Sequence, residues 1–399
     1  MENTFIPFHR PSVGQPEIDG VVAALKAGWL NSGPRAAQFE EEFRSYVRAP
    51  FSLAVNSGTA AMHLALAALG VGPGDEVITT SLTFCATVNC IAHIGAKPVL
   101  ADVRPDCNID PDSIAEKLSE RTRALVPVHF AGLPCDMDAI WRIARKNNLF
   151  VIEDAAHAVG SRYHGSPIGA VGAAQSHASD AVAFSFYATK NLTNGEGGML
   201  TAASQELADK ARVLSLNGVS RDAWNRYSEC GSWYYETAEC GFKYNLSDIQ
   251  TALGIAQLRQ QEDFLTTRTA YANFYNEQFS GIEEVEIPSD SANCRHAWHL
   301  YVLKLNLGRL TVTRAQFIDA LREKGIGASV HFIPIPKHPF FAPYADDQRN
   351  HCPRTVEMYP RLVSLPLYPA MSTAEVERVA DGVKSVVERH RSTAMAMAV

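Results

Sequence analysis

Residues 52–69 read "SLAVNSGTAAMHLALAAL". Four residues of strand character run into a polar Asn-Ser-Gly turn. Eleven residues rich in alanine and leucine, both strong helix formers, follow it. The same strand–turn–helix unit recurs along the first half of the chain. "EVITT" (76–80), "PVLADV" (98–103), "ALVPVHF" (124–130), "FVIED" (150–154), "AVAFSFY" (181–187) and "GMLTA" (198–202) read as short apolar strands. Helical patterns fall around "PDSIAEKL" (111–118) and "MDAIWRIARKN" (137–147). Apolar strands alternating with helices predict an α/β fold with a mostly parallel sheet covered on both faces. Such sheets bind ligands at the carboxyl ends of their strands.

Helix starts agree with this reading. Asp110 precedes Pro111, and Ser247-x-x-Gln250 forms a capping box before a long helical run. Beyond about residue 290 the texture changes. "WHLYVLKL" (298–305) and "ASVHFI" (328–333) read as strands, and "TRAQFIDALREKG" (313–325) and "MSTAEVERVADGVKSVVERH" (371–390) as helices. Thr313-x-x-Gln316 and Ser372-x-x-Glu375 are further capping boxes. This segment is expected to form a small α+β domain, and the tail "STAMAMAV" to fray.

The 399 residues are 46% hydrophobic and 20% charged, as in an ordinary globular protein large enough for two domains. A net charge of −7 argues against a general nucleic-acid or anionic-membrane surface. The N-terminus "MENTFIPFHRP" lacks the layout of an export signal, so the cytoplasm is the expected compartment. No apolar run reaches the ~20 residues that span a bilayer. The eight cysteines show no C-x-x-C spacing, so reduced thiols are expected rather than disulfides or a metal site.

Three stretches carry chemistry. In "NSGT" (56–59), amides at a helix N-terminus beside a residue without Cβ form a phosphate cradle, although many strand–helix turns contain glycine. "FVIEDAAHAVG" (150–160) sets Glu153 and Asp154 at a strand end. There Asp154 is either a helix N-cap or the partner of a buried cationic ring nitrogen. "SFYATKNLTNGEGG" (185–198) places Ser185 and Lys190 past another strand. Lys190 is either an exposed cation or a desolvated amine held as a nucleophile. Together they ask for one phosphorylated ligand with a carbonyl and a basic ring nitrogen, and pyridoxal 5′-phosphate (PLP) meets all three demands.

At these residues the chain resembles the DegT/DnrJ/EryC1/StrS family of fold-type-I, PLP-dependent sugar aminotransferases. The carrying motifs are "GWLNSGP" (28–34), "NSGTAAMHLAL" (56–66), "GDEVITTSLTFCAT" (74–87), "PVHFAG" (127–132), "EDAAHAVG" (153–160) and "FSFYATKNLTNGEGG" (184–198). "GFKYNLSDIQTALGIAQL" (241–258), "HAWHLYVL" (296–303), "GIGASVHFIPI" (325–335) and "SLPLYP" (364–369) complete an ordered series over nearly the whole length. Within the family it is most similar to enzymes that aminate the C4 ketone of a UDP-linked sugar, in the 4-amino-4-deoxy-L-arabinose and pseudaminic-acid pathways.

The resemblance implies a large PLP-binding domain over residues 1–260, N-terminal arm included, and a small α+β domain over 261–399. It makes Lys190 the Schiff-base lysine, Asp154 the pyridinium partner and Ser185 a phosphate ligand. Gly58 and Thr59 offer phosphate-binding amides, Phe84 stacks on the ring, and His157 sits near the phenolic oxygen. Lys243 and Asn245 belong to a loop that reaches the neighbouring subunit's phosphate in a homodimer. Trp29, Asn31 and His331 contact substrate. The expected reaction is a ping-pong transfer of an amino group from L-glutamate to a keto group of a nucleotide-linked sugar.

Three departures stand out. Lys243-Tyr244-Asn245 replaces the family's Asn-aromatic-Arg, Pro334-Ile335-Pro336 replaces P-x-H, and Tyr187 replaces a histidine. A histidine in or beside a strand, such as His129 or His299, more often has a structural role. The aromatic run Trp233-Tyr234-Tyr235 reads equally as interface packing. Two other readings stay open, a keto-inositol (cyclitol) aminotransferase and a non-catalytic PLP-binding regulatory protein.

Overall fold

The computed structural model describes residues 5–172, 179–219, 234–289 and 291–392. Trp233, Cys230 and the tail from 393 onward lie outside the described residues. Seven strands form the main sheet: β1 (Phe51–Val55), β2 (Glu76–Thr80), β3 (Lys97–Ala101), β4 (Thr122–Val126), β5 (Phe150–Asp154), β6 (Ala181–Ser185) and β7 (Gly198–Ala202). Their order is β1-β7-β6-β5-β4-β2-β3. Only β7 runs against the others, pairing antiparallel with both β1 and β6.

The period-2 alternation of a strand sorts each β-residue to one of two cores. Val151, Val182 and Phe184 join Phe39, Phe43 and Trp141 on one face. Ile152, Ala181 and Ala183 join Leu64, Leu66 and Leu214 on the other. The helix Gly58–Ala68 is buried at nine positions, because its small side chains let it lie close against the sheet. This is the fold-type-I arrangement, a mixed and mostly parallel sheet between helical layers.

A second core gathers Tyr275 and Phe279 of the helix Gln261–Phe279 with Tyr301, Phe317 and Val379. Its sheet has three antiparallel strands, with Tyr301–Leu305 between Val285–Glu286 and Leu362–Leu365. The N-terminal arm packs into this second core through Ile6, whose amide donates to Gly325 and whose carbonyl accepts from Gly327, both at 2.8 Å. All three capping boxes are formed, at Ser247, Thr313 and Ser372, and Asp110 caps its helix by accepting from the Asp112 amide. Among the described residues no helix is long and apolar enough to cross a membrane.

Three local expectations change. The strand expected over 124–130 stops at Val126, because Pro127 has no amide to continue the ladder, and Phe130–Gly132 forms a 3₁₀ turn. The run after Ser247 divides into the helices Asp248–Arg259 and Gln261–Phe279. "ASVHFI" is not a strand: Ser329 exchanges both backbone bonds with Ser364, and the chain then turns away along the mouth of a cavity.

Candidate active site

The carboxyl ends of β1, β2, β5 and β6 open into one cavity of about 630 Å³. After β1, Ser57 caps the helix Gly58–Ala68, its side chain accepting from the Ala60 amide at 3.0 Å. The next two residues, Gly58 and Thr59, line the cavity with amides that have no intrahelical acceptor. Here glycine is a steric need: a Cβ on Gly58 would lie 2.8 Å from the Ser185 Cβ. Gly198 is equally confined, since its Cβ would lie 2.5 Å from the Ser57 carbonyl. Ser185, the last residue of β6, lines the cavity beside this turn.

Asp154 ends β5 and is 4% exposed. No helix follows it, so it is not an N-cap. Its Oδ1 accepts from the Ala156 amide at 3.0 Å and its Oδ2 from the Thr87 hydroxyl at 2.8 Å. Burial nevertheless holds its carboxyl above the ordinary aspartate range, with those two donors and Lys190 pulling the other way. Lys190 borders the same cavity. Desolvation, opposed by the attraction of Asp154, pushes its amine down to about 8. A lysine in that state keeps a neutral, nucleophilic fraction near physiological pH that an ordinary lysine lacks.

His157 is buried and kept neutral, chiefly by desolvation. Its ring lies 4.3 Å from that of His299 and stacks at 5.6 Å on Phe332. Its Nδ1 is buried with no hydrogen-bond partner, so a ligand that reaches it removes a penalty. Phe84 is 60% exposed where it borders the cavity, an apolar ring face without a cover. His331 bonds to the Ser364 hydroxyl at 2.8 Å and stacks with Phe8, and burial pushes it down to about 4.

Thus Gly58, Thr59, Phe84, Asp154, His157, Ser185, Lys190 and His331 come together around one space. Lys243, Asn245, Trp29 and Asn31 do not line it. Trp29, Asn31 and Asn245 form a separate cluster, while the Lys243 carbonyl accepts from the Asn56 side-chain amide. The Asn245 amide donates to Asn31 and to Ser32, each at 2.9 Å, and the Trp29 indole donates to the Ser32 carbonyl. Trp29 and Leu30 are about half exposed there, with Ile18, Val22 and Leu25 of the helix Gln15–Ala27 exposed nearby in sequence. Pro336 does not line the cavity, whereas Tyr187 does and is exposed. His129 is sealed in the interior, bonded to Glu153 at 2.8 Å and accepting from the Cys135 amide.

Sequence reasoning missed the arm residues Phe8 and His9, the threonines Thr83 and Thr87, and Phe332, all of which line the cavity. The threonines show in the sequence only as two hydroxyls spaced i, i+4 across a helix start, which does not single them out. Among the described residues no group of three His, Cys, Asp or Glu side chains could hold a metal ion.

An amine ready to form a covalent bond, a buried carboxylate, an orphaned imidazole and a turn of free helix-start amides in one cavity suit PLP at every corner. Fold and site together define a fold-type-I PLP enzyme. The model of the DegT/DnrJ/EryC1/StrS aminotransferase family matches residues 11–384, and the chain belongs to that family. It is a PLP-dependent aminotransferase. It is 48% identical over 388 residues to the spore coat polysaccharide biosynthesis protein SpsC of Bacillus subtilis, covering 97% of this chain and 98% of that one. Spr1654 from Streptococcus pneumoniae has been solved in a PLP form and a PMP form. The PLP form matches with a TM-score of 0.88 at 30% identity, over 96% of this chain and 99% of its own. Helicobacter pylori PseC, an aminotransferase involved in the biosynthesis of pseudoaminic acid, matches with a TM-score of 0.88 at 25% identity, over 97% and 100%.

Proposed function

We propose that this aminotransferase moves an amino group from L-glutamate to the keto group of a nucleotide-linked sugar, a UDP-linked 4-keto sugar in particular, in the cytoplasm. The observation that carries the reading is the desolvated Lys190 amine sharing one cavity with buried Asp154 and the Gly58–Thr59 turn. The descriptions of SpsC, a spore coat polysaccharide biosynthesis protein, and of Spr1654, classed as a sugar aminotransferase, support a sugar acceptor. The cavity, of a size usual for small-molecule sites and lined on one side by Phe8, Ser329 and His331, leaves room for one.

Bound here, PLP supplies an electron sink and a carbonyl that keeps the amino group between the two half-reactions. Gly58, Thr59 and Ser185 hold the phosphate through amides and a hydroxyl. Asp154 holds a proton on the ring nitrogen by its negative charge, Phe84 covers the ring, and His157 donates to the phenolic oxygen. Lys190 would take the proton from the donor's α-carbon and return it, a positioned transfer worth on the order of 10²–10⁴-fold. Lys243, Asn245, Trp29 and Asn31 are assigned to the second copy's cavity in a homodimer, in keeping with their not lining this one. The cavity then lies between domains 1–260 and 261–399.

A coupled assay with L-glutamate against a panel of keto-sugar nucleotides and a keto-inositol tests this reading. Turnover of a UDP-4-keto sugar is expected. Turnover of the keto-inositol alone would replace the acceptor and keep the aminotransferase, while no turnover with any acceptor of the panel would overturn the proposed acceptor class.

A further inference from the structure

The buried hydroxyls beside Asp154 form a directed chain. The Thr87 hydroxyl donates to Asp154 Oδ2 at 2.8 Å, and Thr83 Oγ1 lies 2.9 Å from Thr87 Oγ1. A hydroxyl has a single hydrogen. That of Thr87 is committed to the carboxylate, so Thr83 must be the donor in the second bond. The chain therefore runs Thr83 to Thr87 to Asp154, through residues that are 2%, 1% and 4% exposed. Thr83 and Thr87 straddle the start of the helix Cys85–His93, with Phe84 as its N-cap residue. One five-residue segment thus offers a ring face to the cavity and a support to its carboxylate.

We propose that Thr87 is a positioning residue of the transamination site: its hydroxyl, backed by Thr83, keeps Asp154 ionised and oriented toward the ring nitrogen of the cofactor. The assignment rests on the reading of Asp154 given above. An ionised carboxylate in a dry place needs donors, and hydrogen bonds to a charged acceptor are about twice as strong as neutral ones. Donors in series polarise one another and strengthen the last bond. Without Thr87, Asp154 keeps only the Ala156 amide as a close donor. Burial then drives it toward its protonated form, which cannot hold a protonated ring nitrogen by charge. The titratable groups that face Asp154 are Lys190, His129 and Cys90, and substitutions at Thr87 leave all three in place.

The test uses holoenzyme loaded with ring-¹⁵N-labelled PLP, comparing wild type with Thr87→Val, Thr87→Ser, Thr83→Val and Asp154→Asn. Nitrogen NMR as a function of pH reads the protonation midpoint of the ring nitrogen. Thr87→Val is expected to move that midpoint to lower pH and reduce kcat roughly 10- to 100-fold. The donor KM should stay within about threefold, because the lost interaction lies behind the reacting groups. Thr87→Ser, which keeps the hydroxyl, should restore both midpoint and kcat, and Thr83→Val should give a smaller shift in the same direction. A Thr87→Val enzyme that titrates and turns over like wild type overturns the proposal, as does a serine variant no better than the valine one. An unchanged ring-nitrogen signal in Asp154→Asn would overturn the Asp154 reading itself. A changed signal there with none in Thr87→Val would overturn only the role of Thr87.

Discussion

Glu76 and Asp154 are both buried carboxylates of the main sheet, and their environments push them in opposite directions. Glu76 opens β2 and is 1% exposed. The Arg349 guanidinium grips it at 2.8 and 3.0 Å, Arg121 and Ser119 add further bonds, and its carboxyl falls to about 2. Asp154 closes β5 at the other end of the sheet. It has one amide and one hydroxyl as close donors and is held above its ordinary value by desolvation. Glu76, fully met by cations, ties the segment around Arg349 to β2. Asp154, left short of a cation, is poised to accept one from a ligand. The difference places stability at the amino end of the strands and chemistry at the carboxyl end.

The hardest way to break that contrast is at its reactive corner. Lys190→Ala should lower turnover on the order of 10⁴-fold in the coupled assay, since it removes the positioned proton carrier. In the wild-type apoprotein, the rate of PLP capture should climb with pH and level off above about 8, where the Lys190 amine is neutral. Asp154→Asn should lower kcat roughly 10²–10³-fold, the usual size for losing one partner of a buried charge pair, with little change in unfolding midpoint.

Glu76→Gln should do the reverse. The downward shift of Glu76 corresponds to about 3 kcal/mol of stability, measurable by denaturant unfolding, with kcat within about twofold of wild type. A depressed carboxyl contributes fully above its unfolded value near 4.5 and loses that contribution as pH falls toward about 2. The wild-type and Glu76→Gln unfolding curves should therefore converge across that window. The smallest effect is expected from His157→Phe, which keeps an aromatic ring at the stack and removes the orphaned Nδ1. A fall in kcat of about tenfold and a shifted absorbance of the bound cofactor should follow.

How much was legible follows from how far each signal reaches along the chain. The capping boxes at Ser247, Thr313 and Ser372, and the strands 76–80, 150–154 and 198–202, are local patterns, and they appear as read. "ASVHFI" had strand composition and no local mark that the chain would leave its partner after Ser329. Lys190, Asp154 and the Gly58 turn could be singled out because each departs from its surroundings within a few residues. Thr87 could not, because its value lies in an acceptor 67 positions away. Nor could the arm residues Phe8 and His9, which reach the cavity only because Ile6 pairs with the chain at Gly325 and Gly327.

By itself, then, the sequence determined the strand–turn–helix order, the helix starts and the three chemical corners, since hydrophobic period and turn chemistry act over one or two turns of chain. Tertiary structure alone decided that those corners share one cavity and that Asp154 stands there with few donors while Glu76 is saturated with them. It also decided that Asn245, Trp29 and Asn31 gather elsewhere and that Lys243 does not line the cavity. The physical reason is that desolvation and through-space charge depend on what the fold brings alongside a residue, and neighbours in sequence do not carry that information.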